Sequence, residues 1–292
     1  MFVCTLLTDP AHPSLNPAMA DALRNAWGGR DVQWLAVDEA AAFTLPAIPD
    51  NRWEVWGDMQ DHGVDLVVLP FEGRRKRMLI ADMDSTMIQQ ECIDELADVA
   101  GVGDRVKEIT ARAMNGELDF EAAIVERVGL LAGLPESVIA DVLRDRITMT
   151  PGGATLLATM KADGAYAALV SGGFTAFTSS VAADLGFDEN RANTLLSSGG
   201  ILTGEVGMPI LGQQAKVDAL EEITTRLSLG DSDVLAVGDG ANDLGMLHRA
   251  GIGVALHAKP SVAAQCDVRV NFGDLTALLF LQGYARSEFI EG

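Results

Sequence analysis

The apolar residues of this chain change their spacing along its length, and the changes predict where strands and helices lie. In the first 72 residues, short apolar runs predict three strands, at 2–7, 32–37 and 64–69. A segment with helical spacing, 16–27, lies between the first two and ends at Gly28-Gly29. The Pro- and Asp-rich segment 45–51 predicts a loop. These elements predict a small α+β domain.

A second region, from about residue 88 to 148, predicts helices and no strands. It follows the apolar run Met78-Leu-Ile-Ala81. Apolar residues recur with helical spacing in four segments, 88–100, 106–115, 120–131 and 137–144. Glycines separate them, which predicts a helical insertion. After it, Thr150 is a candidate N-cap and Pro151 a first helical residue, for a helix that ends near Asp163.

The remaining residues alternate between strand and helix patterns. Strands are predicted at 166–173, 233–240 and 251–255, and helices at 174–185, 213–227 and 243–250. The segments 195–198 and 201–203 flank Gly199-Gly200, which predicts a hairpin. Strands that alternate with helices are typical of a parallel sheet with right-handed crossovers. The predicted fold is therefore α/β, with a doubly wound parallel Rossmann-like sheet, a helical cap insertion and a small N-terminal α+β domain.

Composition and charge narrow the range of functions. Of the 292 residues, 48% are hydrophobic and 22% are charged, a normal balance for a globular protein. The formal charge of -21, from 42 acidic and 21 basic residues, argues against a nucleic-acid partner. The basic run 74–77 is interpreted as a solvated linker. No apolar run approaches a membrane span or a signal sequence, so a cytoplasmic protein is expected.

Polar residues follow three of the predicted parallel strands. Asp82 and Asp84 follow the first, Ser171-Gly172-Gly173 ends the second, and Asp239 to Asp243 follow the third. The carboxyl ends of parallel strands meet at one edge of a sheet, so these residues are expected to converge there. Lys216 opens the helix before the third strand.

The converging residues are those that phosphoryl transfer requires. Three clustered carboxylates, from Asp82, Asp84 and Asp239, would be costly unless they hold a divalent cation, and hard oxygen ligands favour Mg²⁺ over zinc. Ser171 and the backbone N–H groups after it, with the Lys216 ammonium, suit a phosphate. One Asp can attack phosphorus and the other can transfer protons. Taken singly, each of these motifs is also typical of an ordinary turn, N-cap or solvated helix residue.

The four motifs, Asp82-Met-Asp-Ser-Thr86, Ser171, Lys216 and Gly-Asp-Gly-Ala-Asn-Asp243, resemble those of the haloacid dehalogenase-like superfamily. Within it, the chain from about Met78 resembles the phosphoserine phosphatase family. The cap segments "DSTMIQQECIDELA" and "LDFEAAIVERVGLLAGLP" and the segment "LVSGGFTAFT" carry this similarity. Residues 1–72 resemble one truncated ACT-like unit, and residues 78–292 the phosphatase domain, with a cap at about 88–148.

The resemblance implies a reaction and a role for each matching residue. Phosphoserine would be hydrolysed to serine and phosphate, the final step of serine biosynthesis, through a phosphorylated Asp82, with Asp84 as general acid and base. Mg²⁺ would be held by Asp82, the Asp84 backbone carbonyl and Asp239. Phosphate would be bound by Ser171, Gly172 and Lys216, and Asn242 and Asp243 would support the metal and the phosphate. Glu91 would contact the substrate ammonium, and Arg127 would contact its carboxylate. Phe120 and Met114 would close the pocket.

Two other functions remain open at this point. An enzyme of the same scaffold could pass its phosphoryl group to an alcohol, or could hydrolyse another small phosphomonoester. A non-catalytic sensor could bind Mg²⁺ and phosphate, although an intact Asp84 argues against it because binding alone needs no proton transfer. The expected partner is a small molecule, and a homodimer is compatible with the sequence, which does not determine the oligomeric state.

Overall fold

The computed structural model describes residues 1–114 and 117–292 and gives no side-chain surroundings for 113 and 114. The N-terminal part of the chain forms a four-stranded antiparallel sheet. Its elements follow the order βαββαβ. They are β1 (Phe2–Leu7), α1 (Pro17–Ala26), β2 (Gln33–Ala36), β3 (Ala40–Leu45), α2 (Arg52–Asp61) and β4 (Asp65–Pro70). The strand order across the sheet is β2-β3-β1-β4. Asn16 caps α1 by accepting a hydrogen bond from the Ala18 N–H, and Pro17 starts the helix, as expected.

The sequence analysis missed two of these six elements. Strand β3 (AAAFTL) contains three alanines, which carry little β propensity, and a tight turn at Asp38 with φ 55° joins it to β2. Helix α2 has no buried residue, so it lacks the apolar stripe that would predict it.

The second sheet is parallel and has six strands in the order β12-β11-β10-β5-β6-β7. These strands are β5 (Met78–Ala81), β6 (Tyr166–Phe174), β7 (Glu189–Asn193), β10 (Val234–Gly238), β11 (Ile252–Leu256) and β12 (Val268–Val270). Helices α7 (Gly153–Ala162), α8 (Thr175–Leu185), α9 (Gln213–Leu227), α10 (Leu244–Arg249), α11 (Pro260–Ala263) and α12 (Ala277–Leu281) connect or follow them. The predicted α/β fold class is confirmed.

Strand β5 shows why this sheet is covered on both faces. All four of its residues are buried. Leu79 and Ala81 pack into one apolar cluster, and Met78 and Ile80 pack into another on the opposite face. Because successive side chains of a strand point to opposite faces, a continuous apolar run predicts a strand between two layers.

Helices α3 (Cys92–Val99), α4 (Gly103–Met114), α5 (Phe120–Gly129) and α6 (Val138–Asp145) form the insertion after β5. An isolated antiparallel bridge between Ile88 and Met149 joins its two ends. Because residues 82–91 are used in turns, α3 begins four residues later than predicted. The hairpin of β8 (Leu195–Ser198) and β9 (Ile201–Val206) is confirmed, and it contacts α5.

Thr150 is not the N-cap of α7, and this prediction was wrong. The helix begins at Gly153, and Gly152 precedes it with φ 81°. A Cβ at residue 152 would lie 2.6 Å from the Thr276 backbone nitrogen, so both the conformation and the space require glycine. The Thr150 N–H instead donates to the Met87 carbonyl.

The basic run 74–77 is more tightly packed than the predicted linker. Lys76 is buried, and its ammonium donates to the carbonyls of Gly73 and Ser232. Arg75 pairs with Asp163 and Glu288. These cations are therefore engaged within the chain. Within the described ranges, no helix has both the length and the apolar character that crossing a membrane requires.

One buried carboxylate connects the two sheets. Asp65, the first residue of β4, is fully buried and accepts hydrogen bonds from the N–H groups of Asn271, Phe272 and Gly273 at 2.8–2.9 Å. These three residues directly follow β12. Burial raises the pKa of Asp65, although the three N–H donors oppose that rise.

Replacing Asp65 with alanine is expected to lower the free energy of unfolding by about 3 kcal/mol or more, because three buried N–H groups would lose their acceptor. Urea denaturation would measure this loss. Asp267→Ala is the matched control: its side chain is 82% exposed and pairs with Arg52 at the surface. That variant should change stability by less than about 1 kcal/mol. A loss for Asp65→Ala no larger than that of the control would contradict the connecting role.

Candidate active site

The carboxyl ends of three adjacent strands bring the predicted residues together. Strand β5 pairs with β10 on one side and β6 on the other. The Asp82 N–H donates to the Val237 carbonyl at 3.0 Å, so the register of β5 on β10 fixes the start of the loop after β5. Ser171 and the two glycines after it lie in the last part of β6, and Asp239 directly follows β10.

Lys216 lies at the centre of a buried group of charges. Its ammonium is 2.7 Å from a carboxylate oxygen of Asp82 and 2.5 Å from one of Asp243. Asp243 is fully buried and also accepts the Gly240 N–H at 2.9 Å. Although burial lowers the pKa of Lys216, the two carboxylates outweigh it and raise that pKa above its ordinary value. Lys216 is therefore a fixed positive charge beside Asp82.

Three carboxylates at this edge fit a divalent cation. Oxygen atoms of Asp82, Asp239 and Asp243 lie within 4.8 Å of one another. Three carboxylates against the single Lys216 ammonium leave two excess negative charges, and an all-oxygen donor set suits a hard cation. Burial first, and then the charge of Asp243, raises the pKa of Asp239 to about 6. Among the described residues, this group contains Asp243 and not the side chain of Asp84, which the sequence had placed with Asp82 and Asp239.

Asp84 is oriented by the first turn of the cap. One of its carboxylate oxygens accepts the Cys92 N–H, at the start of α3, at 2.8 Å. The Ser171 hydroxyl lies 3.4 Å from the other. Burial raises the pKa of Asp84, so this carboxyl group stays protonated to a higher pH than an ordinary aspartate does. The site thus holds a carboxyl group suited to donate a proton.

A cavity of about 800 Å³ extends from this edge to the cap. Its walls include Asp82, Asp84 and Asp239 from the sheet edge and Glu91 and Arg127 from the cap. Glu91 accepts a hydrogen bond from the Ser85 hydroxyl at 2.7 Å. Burial, and then the negative charge of Asp84, raise the pKa of Glu91 to about 7. The cavity therefore combines the carboxylates of the sheet edge with an acidic and a basic side chain from the cap.

Arg127 lies in the last turn of α5 and is half-buried. Its Nε donates to the Ala123 carbonyl at 3.3 Å. Loss of water through burial lowers the pKa of Arg127, and nearby Asp94 and Glu91 partly offset this. A half-buried guanidinium at a cavity wall is suited to a carboxylate ligand.

Phe120, at the start of α5, packs between the cap and the segments that contain Gly172 and Gly212. A Cβ on Gly172 would meet its ring at 3.1 Å, and a Cβ on Gly212 would meet it at 3.3 Å. Asn242 also lines the cavity. Met114 ends α4, and its side chain lies outside the described residues.

The sequence analysis did not single out two charged residues of the cavity wall. Asp94 lies three residues after Glu91, so one turn of α3 presents both to the cavity. Lys259 follows β11 and thus comes from the same sheet edge. The spacing from Glu91 and the position after a parallel strand were the signals available in the sequence.

Comparison with known families identifies the class of protein to which this fold and this site belong. The chain belongs to the haloacid dehalogenase-like hydrolases, whose family model matches residues 79–248. This range contains β5 from its second residue, the cap, and the strands and the helix α9 that carry the four motifs.

Named relatives place the chain more narrowly within that family. The phosphoserine phosphatase of Lactococcus lactis is 43% identical over 214 residues, which cover 73% of this chain and 99% of that protein. The phosphoserine phosphatase of Streptomyces coelicolor is 43% identical over 228 residues, and these cover 77% of this chain but only 55% of that protein. The crystal structure of a haloacid dehalogenase family hydrolase from Salmonella enterica serovar Typhi has a TM-score of 0.86 at 31% identity, covering 97% of this chain and 99% of that one.

Proposed function

We propose that this protein hydrolyses O-phospho-L-serine to L-serine and phosphate. One observation carries the proposal: a single cavity is lined by Asp82 and Asp84 and also by Glu91 and Arg127, a carboxylate and a guanidinium from the cap. Phosphoserine has a phosphate at one end and an ammonium and a carboxylate at the other. Relatives named phosphoserine phosphatases, at 43% identity, support the same substrate.

In the first step, a carboxylate oxygen of Asp82 attacks phosphorus and the bond to the serine oxygen breaks. Lys216, 2.7 Å from Asp82, favours the ionised form of this carboxylate, whereas burial and the charge of Asp243 outweigh it and raise the pKa of Asp82. In the proposed reaction, the Lys216 ammonium stabilises negative charge on the phosphoryl group, and the Ser171 hydroxyl and the Gly172 N–H bind the phosphate oxygens. Asp84 gives its proton to the departing serine oxygen, so serine leaves as a neutral alcohol.

In the second step, the phosphoryl group is removed from Asp82. Asp84, now ionised, takes a proton from a water molecule, whose oxygen attacks phosphorus. The bond to the Asp82 oxygen breaks, which restores the Asp82 carboxylate and a protonated Asp84. The contacts of Asp84 with the Cys92 N–H and the Ser171 hydroxyl hold it in position for both transfers.

A divalent cation, which we propose to be Mg²⁺, would be held by Asp82, Asp239 and the Asp84 carbonyl, with Asp243 supporting it. When bound, it neutralises negative charge on the phosphoryl oxygens and thereby lowers the barrier to attack. Lys216 neutralises part of the carboxylate charge without it.

Release of phosphate from O-phospho-L-serine tests the proposal. Hydrolysis of phosphoserine much faster than of an aryl phosphate is expected. A competing alcohol should not divert the phosphoryl group from water. Formation of a new phosphate ester, or phosphate binding without turnover, would instead indicate the phosphotransferase or the sensor.

The variants Arg127→Ala and Glu91→Gln are expected to lower kcat/KM for phosphoserine by about 10–150-fold, because each loses one charge-assisted bond worth roughly 1.5–3 kcal/mol. Part of the loss is expected in kcat, since binding energy remote from phosphorus can align the substrate. An aryl phosphate has neither of the two charges, so its hydrolysis should change little. Equal losses on both substrates would mean that these residues support the fold or the metal site.

The domain organisation is also part of the proposal. Residues 1–72 would be an accessory ACT-like domain, and residues 78–292 the phosphatase domain with its cap at about 88–148. In support, residues 2–70 form a sheet of their own, and the Lactococcus lactis relative is matched almost completely by 73% of this chain.

A further inference from the structure

A buried amide side chain, that of Asn193, lies behind the phosphate-binding loop. Asn193 ends β7, and it is only 2% exposed. Its Nδ2 donates to the carbonyls of Gly172, at 2.9 Å, and Leu211, at 3.1 Å. Its Oδ1 accepts the Leu211 N–H at 2.7 Å. All the bonds are to backbone groups, so the side chain replaces pairing that the strands do not provide here.

The irregular pairing of β6 with β7 explains this need. Val170 pairs with Arg191, but the next pair is Phe174 with Asn193. Three residues of β6, Ser171 to Gly173, therefore stand opposite the single Ala192. A bulge of this kind leaves backbone groups without ladder partners. The Asn193 amide supplies the missing partner of the Gly172 carbonyl, which would otherwise be left unpaired.

The same peptide group is held from its other end. The Gly173 N–H donates to the Ser171 hydroxyl oxygen at 2.8 Å. That hydroxyl in turn lies 3.4 Å from a carboxylate oxygen of Asp84. Hydrogen bonds thus run from Asn193 through the peptide between Gly172 and Gly173 to Ser171 and on to Asp84.

Asn193 also fixes a second segment of the site. Leu211 precedes Gly212 and α9, the helix that carries Lys216. By bonding both Gly172 and Leu211, the amide connects the loop with Ser171 to the segment that leads to Lys216. Asn193 therefore holds both segments that carry groups expected to contact phosphate, the one with Ser171 and the one that leads to Lys216.

We infer that Asn193 is a positioning residue that holds the Gly172 peptide and the Leu211 segment in the arrangement that binds the phosphoryl group. It does not contact the substrate itself. This inference rests on the proposed phosphatase function, but it concerns the phosphate end only. It is therefore independent of which alcohol carries the phosphate.

The variant Asn193→Ala is expected to lower kcat/KM by about 10–100-fold, because buried backbone groups lose their partners and the loop loses its orientation. The same factor is expected for phosphoserine and for an aryl phosphate, since both bring the same phosphoryl group. The inhibition constant of inorganic phosphate, measured against the aryl phosphate, should rise about tenfold or more.

Asn190→Ala is the matched control in the same strand. Its side chain is half-buried, and its Oδ1 accepts the Thr178 hydroxyl, on α8, at 2.8 Å. Among the hydrogen bonds of the described residues, this side chain has none to Gly172 or Leu211. The melting temperature of the variant should fall because this bond is lost, while its phosphate inhibition constant should stay within about twofold of wild type. Equal loss of phosphate affinity in both variants would show that Asn193 has only a structural role.

Asn193→Asp keeps the shape and the bond from the Leu211 N–H, and it provides a second test where the alanine variant folds poorly. In its ionised form the carboxylate removes both donors, including the one to Gly172, so the measurement is made at a pH well above the ordinary pKa of aspartate. Phosphate affinity should stay low in this variant. Wild-type affinity in Asn193→Asp would overturn the inference. A wild-type enzyme that shows no preference for phosphoserine would defeat the proposed substrate while leaving the Asn193 comparison intact.

Discussion

Asp82→Asn is expected to lower kcat by about 10⁴-fold or more while the protein stays folded. The amide has the shape of the carboxylate but no nucleophilic oxygen, and loss of a covalent nucleophile removes the pathway itself. Lys216 keeps its ion pair with Asp243, so the buried ammonium is not left alone. Phosphate release would measure the loss, and circular dichroism would show that the fold is retained. Activity within tenfold of wild type would exclude a phosphorylated Asp82.

Asp84→Asn separates the two steps that Asp82→Asn removes together. The amide oxygen of this variant could still accept the Cys92 N–H, so the side chain should keep its position. Proton transfer would be lost, and kcat is expected to fall by about 10²–10⁴-fold. Because the second step needs a base, the phosphoenzyme should accumulate and be trapped by acid quench as an acid-stable, hydroxylamine-sensitive acyl phosphate. Slow turnover without any trapped phosphoenzyme would contradict the assignment of Asp84 to the second step.

Removal of divalent metal is the second change with a very large expected effect. Treatment with EDTA should lower activity by about 10³-fold or more, since a metal on a phosphoryl oxygen contributes several kcal/mol to the transition state. Added Mg²⁺ should restore it. Asp239 has no bond to Lys216 among the ion pairs of the described residues, so Asp239→Asn should mainly raise the Mg²⁺ concentration for half-maximal activity. Full turnover of the metal-free protein would contradict the carboxylate cluster as a metal site.

The sequence predicted the four inner strands of the parallel sheet because these strands are largely buried on both faces. The bounds of β5 and α9 agree with those predicted, since a continuous apolar run and a long amphipathic segment each favour one structure. Strands β7 (ENRAN) and β12 (VRV) were missed. The first is largely polar and the second has three residues, so neither has the pattern of a buried strand. Their place at the ends of the sheet is set by tertiary packing.

The residues at the sheet edge could be predicted from the sequence, whereas the residues that hold them in place could not. Asp82 and Asp239 follow strands and Ser171 lies in the last part of one, so topology alone brings them to one edge. Asp94 and Asn193 follow no such rule. The sequence does not show that α3 turns toward the cavity, or that a bulge in β6 leaves the Gly172 carbonyl for Asn193 to bind. Such partners depend on local departures from regular structure.

The position of Asp65 has a consequence for self-association of the chain. A strand at the end of a sheet carries backbone groups with which a strand of another molecule can pair, and this is a common route to aggregation. Strand β12 ends the parallel sheet, and β4 lies against it. Because Asp65 already occupies the N–H groups of residues 271–273, a strand from another molecule could pair with these residues only by displacing a buried carboxylate. Contact of β4 with β12 thus limits strand addition at this end of the parallel sheet.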